Sequence, residues 1–538
     1  MRPTSIRPGL RRPRLSGLFR VGRTRVGRTR VGLGRGLWPW PALWLGVAAA
    51  TAALVRLPGP AVLDPDEYAA ALYFDDLVHG RRLQEFLLSA PKPLLTLVHG
   101  VAWAVTHDWR AGTALTVAAF ALAVTALARA AGRLAGGAAG PLAGVPAALA
   151  VVVAMVGSGA LILQVARGNS VIWALSGWAV ALDALARPRR RWGLAATALL
   201  LAALARAETW LLLPPAALLG LLAWRRGDRG GLLLLVPLAA PVLWLGHDLL
   251  LAGDALYSLK VPERYTDLVS GRQVLPPAAW LEAVARRYAR SPLLDALALL
   301  GVVWLARRRA WAWLTGLGVI TVGTLTLFGA EAWRGTYISF RYFDPADAGL
   351  RVLAALGAAW LATRSPALLD RARQTRPGPA AAGAAAGVVM VMVACWPLAP
   401  VDGGVGPTLD RSGRSSRNTA RAIRALRPVA GSPSSVVVVS GPQRYRIALE
   451  LGLPLDRVRD LYLGALSQPL DRALSGATAV YHDRGGDQPG ARFAPLEVTV
   501  ATRVGTLRVE PLLSDPRRGL YVLQLGPAPA NFATSPSD

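Results

Sequence analysis

From Leu37 onward the chain alternates apolar runs of bilayer-crossing length with short connectors in which arginine dominates. A run of about 18 or more apolar residues is too long to hide in a small aqueous core, and in a bilayer it becomes a spanning helix. With 53% hydrophobic residues over 538 positions, the reading is a polytopic α-helical membrane protein. Apolar runs fall at 37–55, 92–106, 111–130, 141–164, 169–186, 192–206, 208–224, 230–252, 292–306, 311–330, 346–363 and 379–398. They imply about 11 to 13 crossings. The net charge of +28 is then no nucleic-acid signal, because the arginines sit between apolar runs, where retention on the cytoplasmic side accounts for them. The single cysteine, Cys395, excludes an internal disulfide and a cysteine metal cage, and reads as a small buried residue.

Residues 1–36 carry many arginines, no acid and the repeat Val-Gly-Arg-Thr-Arg at Val21 and Val26. They read as a disordered basic cytoplasmic tail able to lie on anionic headgroups. The run 37–55 is then a signal anchor with the amino terminus inside. The clusters Arg187–Arg191, Arg225-Arg226, Arg307–Arg309 and Arg364–Arg376 are expected on the cytoplasmic side. Alternation puts Asp64–Tyr68, Arg167–Ser170, Ala205–Thr209, Gly253–Ser291 and Glu331–Pro345 outside. Between Tyr68 and Arg167 the number of crossings must be even, yet three apolar runs intervene. The first of these, 92–106, is therefore expected to be re-entrant or tucked against other helices.

Residues 66–90 read as an amphipathic helix lying on the membrane, with Leu72, Leu77, Phe86 and Leu87 opposed to Asp75, Asp76, Arg81, Arg82 and Glu85. Residues 400–538 hold no membrane-length run. Helical spacing over Arg417–Leu426 and Gln443–Leu451, with strand patterns at Ser435–Ser440, Ala477–Tyr481, Glu497–Val500, Arg503–Val509 and Leu520–Leu525, predicts a small extracytoplasmic α/β domain without a glycine-rich phosphate loop. Three domains follow: the tail 1–36, a membrane domain 37–399 whose first outer loop is 58–91, and the outer domain 400–538.

The least expected stretch is Leu63-Asp64-Pro65-Asp66-Glu67-Tyr68, three carboxylates at a membrane boundary. Clustered acids can take a proton or hold a hard divalent cation, with Asp64 and Asp66 the candidate Mg or Mn ligands. The plainer alternative is a helix amino-terminal cap. Only Lys92 and Lys260 are lysines among 60 basic residues. This arginine and alanine bias suggests a high-GC genome such as an actinobacterium's. Lys92 stands between Pro91 and Pro93, Arg206 and Glu208 share one short turn, and Arg341-Tyr342 opens a late apolar run. Their plain alternatives are interfacial snorkelling, a local salt bridge and an aromatic belt. A charge beside a long apolar run is costly unless it is paired or used. Carboxylates beside Lys and Arg on one face suit a base on one side of an anionic substrate and a phosphate clamp on the other. His247-Asp248 reads as a helix–helix hydrogen bond.

The order of these elements resembles the GT-C superfamily of polytopic glycosyltransferases. The nearest resemblance is to the branch of protein O-mannosyltransferases and lipid A aminoarabinose transferases, over residues 37–400. The matching elements are Asp66-Glu67-Tyr68, Lys92-Pro93-Leu94, Arg206-Ala207-Glu208 and Arg341-Tyr342. Leu94 departs from a second proline, and Asn169 stands about where many relatives carry a second outer-loop acid. The resemblance implies an inverting transferase that moves a sugar, such as mannose or arabinose, from a polyprenyl-phosphate donor to a cell-envelope glycan, lipid or protein. Asp66 would be the general base, supported by Glu67 and Asp64. Lys92 and Arg341 would neutralise the leaving phosphate, with Tyr342, Arg206, Glu208, Asn169 and Lys260 as further substrate contacts. A flippase of a lipid-linked sugar and a non-catalytic membrane scaffold are the alternatives.

Overall fold

In the computed structural model the described residues are 40–364, apart from 58, 60–61, 84–88, 140–143, 188, 268–273, 290 and 337–339. To these are added 405–527, apart from 432–434, 441–442, 461–476, 484–502, 505–506 and 516–519. The basic tail, Cys395, the run 379–398 and the strand expected at Glu497–Val500 lie outside them.

The first part is helical: α1 (Trp40–Leu54), α2 (Pro65–Val78), α3 (Pro93–Thr106), α4 (Arg110–Ala139), α5 (Gly144–Val156), α6 (Gly159–Ala166), α7 (Ser170–Leu185) and α8 (Trp192–Ala205). It continues through α9 (Leu213–Arg225), α10 (Ala240–Ala252), α11 (Tyr257–Tyr265), α12 (Pro277–Tyr288), α13 (Pro292–Arg307), α14 (Trp311–Gly318), α15 (Thr324–Trp333) and α16 (Asp344–Arg364). Among the described residues four helical segments are long and apolar enough to cross a membrane alone, or six if each sharply bent pair is one span. The shorter apolar helices are α1, α3, α7 and α8. Small residues set the closest approaches: a Cβ on Gly301 would fall 2.1 Å from the Leu353 carbonyl oxygen, and one on Gly357 1.9 Å from that of Leu297. Glycine there lets α13 and α16 pack backbone to backbone.

Contacts fix the parity that the apolar runs left unresolved. The Asp64 amide donates to the Arg167 carbonyl at 2.9 Å, so the loops before α2 and before α7 share a face. Both ends of α3 are tied to α2: Lys92 precedes it and pairs with Asp66, while Trp109, just beyond it, meets Tyr68 edge-on at 4.6 Å. Fourteen residues span only about 21 Å at 1.5 Å each, short of a bilayer core. Helix α3 therefore starts and ends on one face. The two passages to Arg167 are α4 and the pair α5–α6, which is bent by 61°.

The expected surface helix over 66–90 is different in the structure. Helix α2 stops at Val78, and Glu67 to Tyr73 are buried. It packs against α3, and further cover comes from the carboxy-terminal domain, made of α17 (Val405–Ala430), α18 (Arg444–Leu451) and a sheet ordered β2-β1-β3-β6-β5-β4. The strands are β1 (Val437–Ser440), β2 (Val458–Asp460), β3 (Ala479–Asp483), β4 (Arg503–Val504), β5 (Leu507–Asp515) and β6 (Leu520–Pro527). Strand β1 pairs in parallel with β2 and β3, and the other ladders are antiparallel. Tyr445 of α18 packs in one cluster with Leu63, Tyr68, Leu72 and Trp109. Trp109 Nε1 donates to Glu450 at 2.7 Å, and the Arg446 guanidinium lies 5.8 Å from the Tyr68 ring. Burial raises the Tyr68 hydroxyl above the usual phenol range, opposed by Arg446. An amphipathic pattern does not say whether lipid or protein will cover it, and here protein covers much of it.

Candidate functional site

Asp64 caps α2: its backbone is extended, Pro65 occupies the first turn, and its carboxylate accepts from the Asp66 amide at 3.4 Å. The plain cap alternative thus holds for Asp64. Asp66, two residues on, points away from that cap and accepts from Lys92 Nζ at 2.9 Å, with the two side chains 14% and 16% exposed. Lys92 is held extended by the proline that follows it, which aims its stem across at α2. Glu67 is fully buried, 3.9 Å from His99 Nε2. Gly168 closes this layer. Its φ is +76°, and a Cβ there would come 2.7 Å from Leu63 Cδ2 and 3.3 Å from Glu67 Cγ, so only glycine fits.

On the same face α8 ends where Arg206 turns extended, and a 3₁₀ turn over Ala207–Leu212 begins. Arg206 grips Glu208 with two prongs, Nη2–Oε1 at 2.5 Å and Nε–Oε2 at 3.1 Å, a charge-assisted fork. Lys92 acts electrostatically on Glu208, which links this pair to the first. The Arg206 guanidinium also lies 5.8 Å from the Tyr342 ring. Tyr342 belongs to a short 3₁₀ turn, Phe340–Phe343; the side chain of Arg341, on the same turn, lies outside the described residues.

Arg206 and Glu208 line a small pocket with apolar walls that include Val171, Leu175, Leu212 and Ile320. A π-turn over Val319–Gly323, between α14 and α15, forms part of its wall. Such wide turns within a helix often mark functional sites. The remaining polar lining is Thr209, Thr324 and Asp344. Asp344 was not singled out from the sequence. An acid before Pro345 at the start of an apolar run looks like an ordinary helix cap, and the one available signal was its position two residues after Tyr342.

The other expected residues are engaged elsewhere. Asn169 is buried and caps α7 by accepting from the Val171 amide at 3.0 Å, although its loop touches Asp64 and Glu67. Lys260 pairs with Asp254 at 2.5 Å, both well exposed, so it belongs to a surface ion pair even though its neighbour Ser258 reaches Pro91 at 2.9 Å. Asp248 accepts from the amide and hydroxyl of Ser258, each at 2.8 Å, tying α10 to α11. Asp64 and Asp66, the expected cation ligands, both have other partners in the structure. One carboxylate is taken up in the cap and the other turns to Lys92, and among the described residues no three His, Cys, Asp or Glu side chains converge.

No family model and no curated protein matches the chain. Among solved structures it is similar to ArnT from Cupriavidus metallidurans in the apo state, at 15% identity and a TM-score of 0.49, covering 90% of this chain and 97% of that one. The same enzyme bound to undecaprenyl phosphate gives 14% and 0.48, with the same coverage. The archaeal oligosaccharyltransferase AglB from Archaeoglobus fulgidus, in complex with an inhibitory peptide and a dolichol-phosphate, gives 13% and 0.48, covering 82% of this chain and 69% of that one.

Proposed function

We propose that the protein is a membrane glycosyltransferase of the GT-C type that moves a sugar from a polyprenyl-phosphate donor to a hydroxyl of a cell-envelope acceptor. The observation that carries this reading is the convergence of chain-distant charges on one face: Asp66 on Lys92 at 2.9 Å, and Arg206 beside Tyr342, at the edge of an apolar pocket. An apolar pocket with a guanidinium, Arg206, in its wall suits a lipid-linked phosphate.

In this reading Lys92 holds Asp66 in place until a donor phosphate competes for the ammonium. Asp66 then takes the proton of the acceptor hydroxyl as that oxygen attacks the anomeric carbon. The anomeric carbon–oxygen bond to phosphate breaks, and the bonding pair leaves with the polyprenyl phosphate. Lys92, Arg206 and Arg341 offset the charge developing there. Glu67 would support α2 from below, and the side bearing Asp66 and the carboxy-terminal domain would be extracytoplasmic.

A transfer assay with purified protein and a panel of polyprenyl-phosphate sugars, with and without EDTA, tests the reading. Expected is coupled formation of glycosylated acceptor and free polyprenyl phosphate. Labelled donor that crosses proteoliposomes without being consumed would establish the flippase alternative instead. Loss of transfer in EDTA would establish a divalent cation, with Asp64 and Asp66 the first ligands to substitute.

A further inference from the structure

Two acids stand one turn apart at the start of α16 and differ in their surroundings. Asp347 is fully engaged: Arg287 Nη2 donates to one oxygen at 2.5 Å and the Tyr288 hydroxyl to the other at 2.8 Å. Asp344 is as deeply buried, at 3% exposure, and receives a side-chain hydrogen bond from Gln164. Its Oδ2 has no hydrogen-bond partner among the described residues. Asp344 lines the apolar pocket, opposite a Glu208 whose two oxygens are both taken by Arg206. Of these three acids, Asp344 alone has a buried oxygen with no hydrogen-bond partner among the described residues. A carboxylate oxygen held without a donor at the start of an apolar helix is costly, and such a residue is a binding-site hypothesis in its own right.

We propose that Asp344 recognises the saccharide of the lipid-linked donor, its open carboxylate oxygen accepting hydrogen bonds from sugar hydroxyl or ammonium groups while Arg206 holds the phosphate. This rests on the donor reading above and adds a specificity-determining residue to it. A hydrogen-bond donor on the guest relieves the buried oxygen, whereas a bare polyprenyl phosphate offers it nothing.

The test compares wild type, Asp344→Asn and Asp344→Leu for binding of polyprenyl phosphate and of polyprenyl-phosphate mannose and arabinose, together with thermal stability of each detergent-solubilised protein. Expected is a wild-type preference for one sugar-bearing lipid that falls about 10-fold or more in both variants, with affinity for the bare lipid kept. The melting temperature of Asp344→Leu should stay level or rise, because an incompletely partnered buried carboxylate is removed. Variants that keep the wild-type sugar preference would overturn the inference, as would equal loss of both lipids with a fall in melting temperature, which marks a structural role. A wild type that binds none of these lipids would overturn the donor reading and this inference with it.

Discussion

The two faces of the helix bundle carry ion pairs of the same residue types, arranged differently. On the face that holds the ends of α7 and the middle turns of α4, one buried acid, Asp183, gathers Arg129, Arg133 and Arg187. Positive charge is in surplus there, as expected of a face that sets orientation in the membrane. On the other face Asp66 pairs with Lys92 and Glu208 with Arg206, and Asp344 has an oxygen without a partner among the described residues at a pocket. A salt bridge alone does not mark a site. What distinguishes the second face is that one of its pairs, Arg206 with Glu208, lines a pocket, and Lys92 acts electrostatically on that Glu208 from the neighbouring pair.

That contrast can be broken experimentally. Lys92→Met should have the largest effect, lowering transfer about 100-fold or more in a steady-state assay, because it removes a positioned cation from the leaving group and strands Asp66. Asp183→Asn should act on stability instead, costing about 1–3 kcal/mol because the arginines are partly solvated, with turnover per folded molecule preserved. Chemical denaturation and active-site titration on one preparation separate the two outcomes, and a reversed pattern would dissolve the distinction between the faces. Arg206→Lys keeps the charge but loses the fork on Glu208, and should raise the donor KM about 10-fold with a smaller change in kcat. Trp109→Phe should be mildest, about 1 kcal/mol, since it deletes the single hydrogen bond to Glu450 and keeps the ring stacked on Trp103. Faster proteolytic release of the carboxy-terminal domain would report it.

Much of the helical framework was legible in the chain because its signal is local. The run 92–106 became Pro93–Thr106, and 192–206 became Trp192–Ala205. The strand expected over Arg503–Val509 is instead two, β4 and the longer β5, which pair antiparallel with Arg503 opposite Arg508 and Val504 opposite Leu507. The pairing of Asp66 with Lys92 joins two residues already marked by an acidic knot and by a lysine between prolines. Asp344 was not legible: what distinguishes it from a cap is the difference between its surroundings and those of Asp347, and Gln164 and Arg287 come from α6 and α12. The cover on α2 was hidden for the same reason, since Arg446 and Glu450 lie hundreds of residues away in sequence. Asn169 shows the converse, a residue placed by spacing at the right loop whose side chain is spent on a helix cap.

The proposed transfer depends most directly on Asp66 as the base. A single-turnover measurement with pre-bound polyprenyl-phosphate sugar and saturating acceptor, wild type against Asp66→Asn, isolates the chemical step from donor binding. The predicted result is donor affinity close to wild type, with sugar transfer slowed about 100-fold or more. Transfer by Asp66→Asn at the wild-type rate would contradict it.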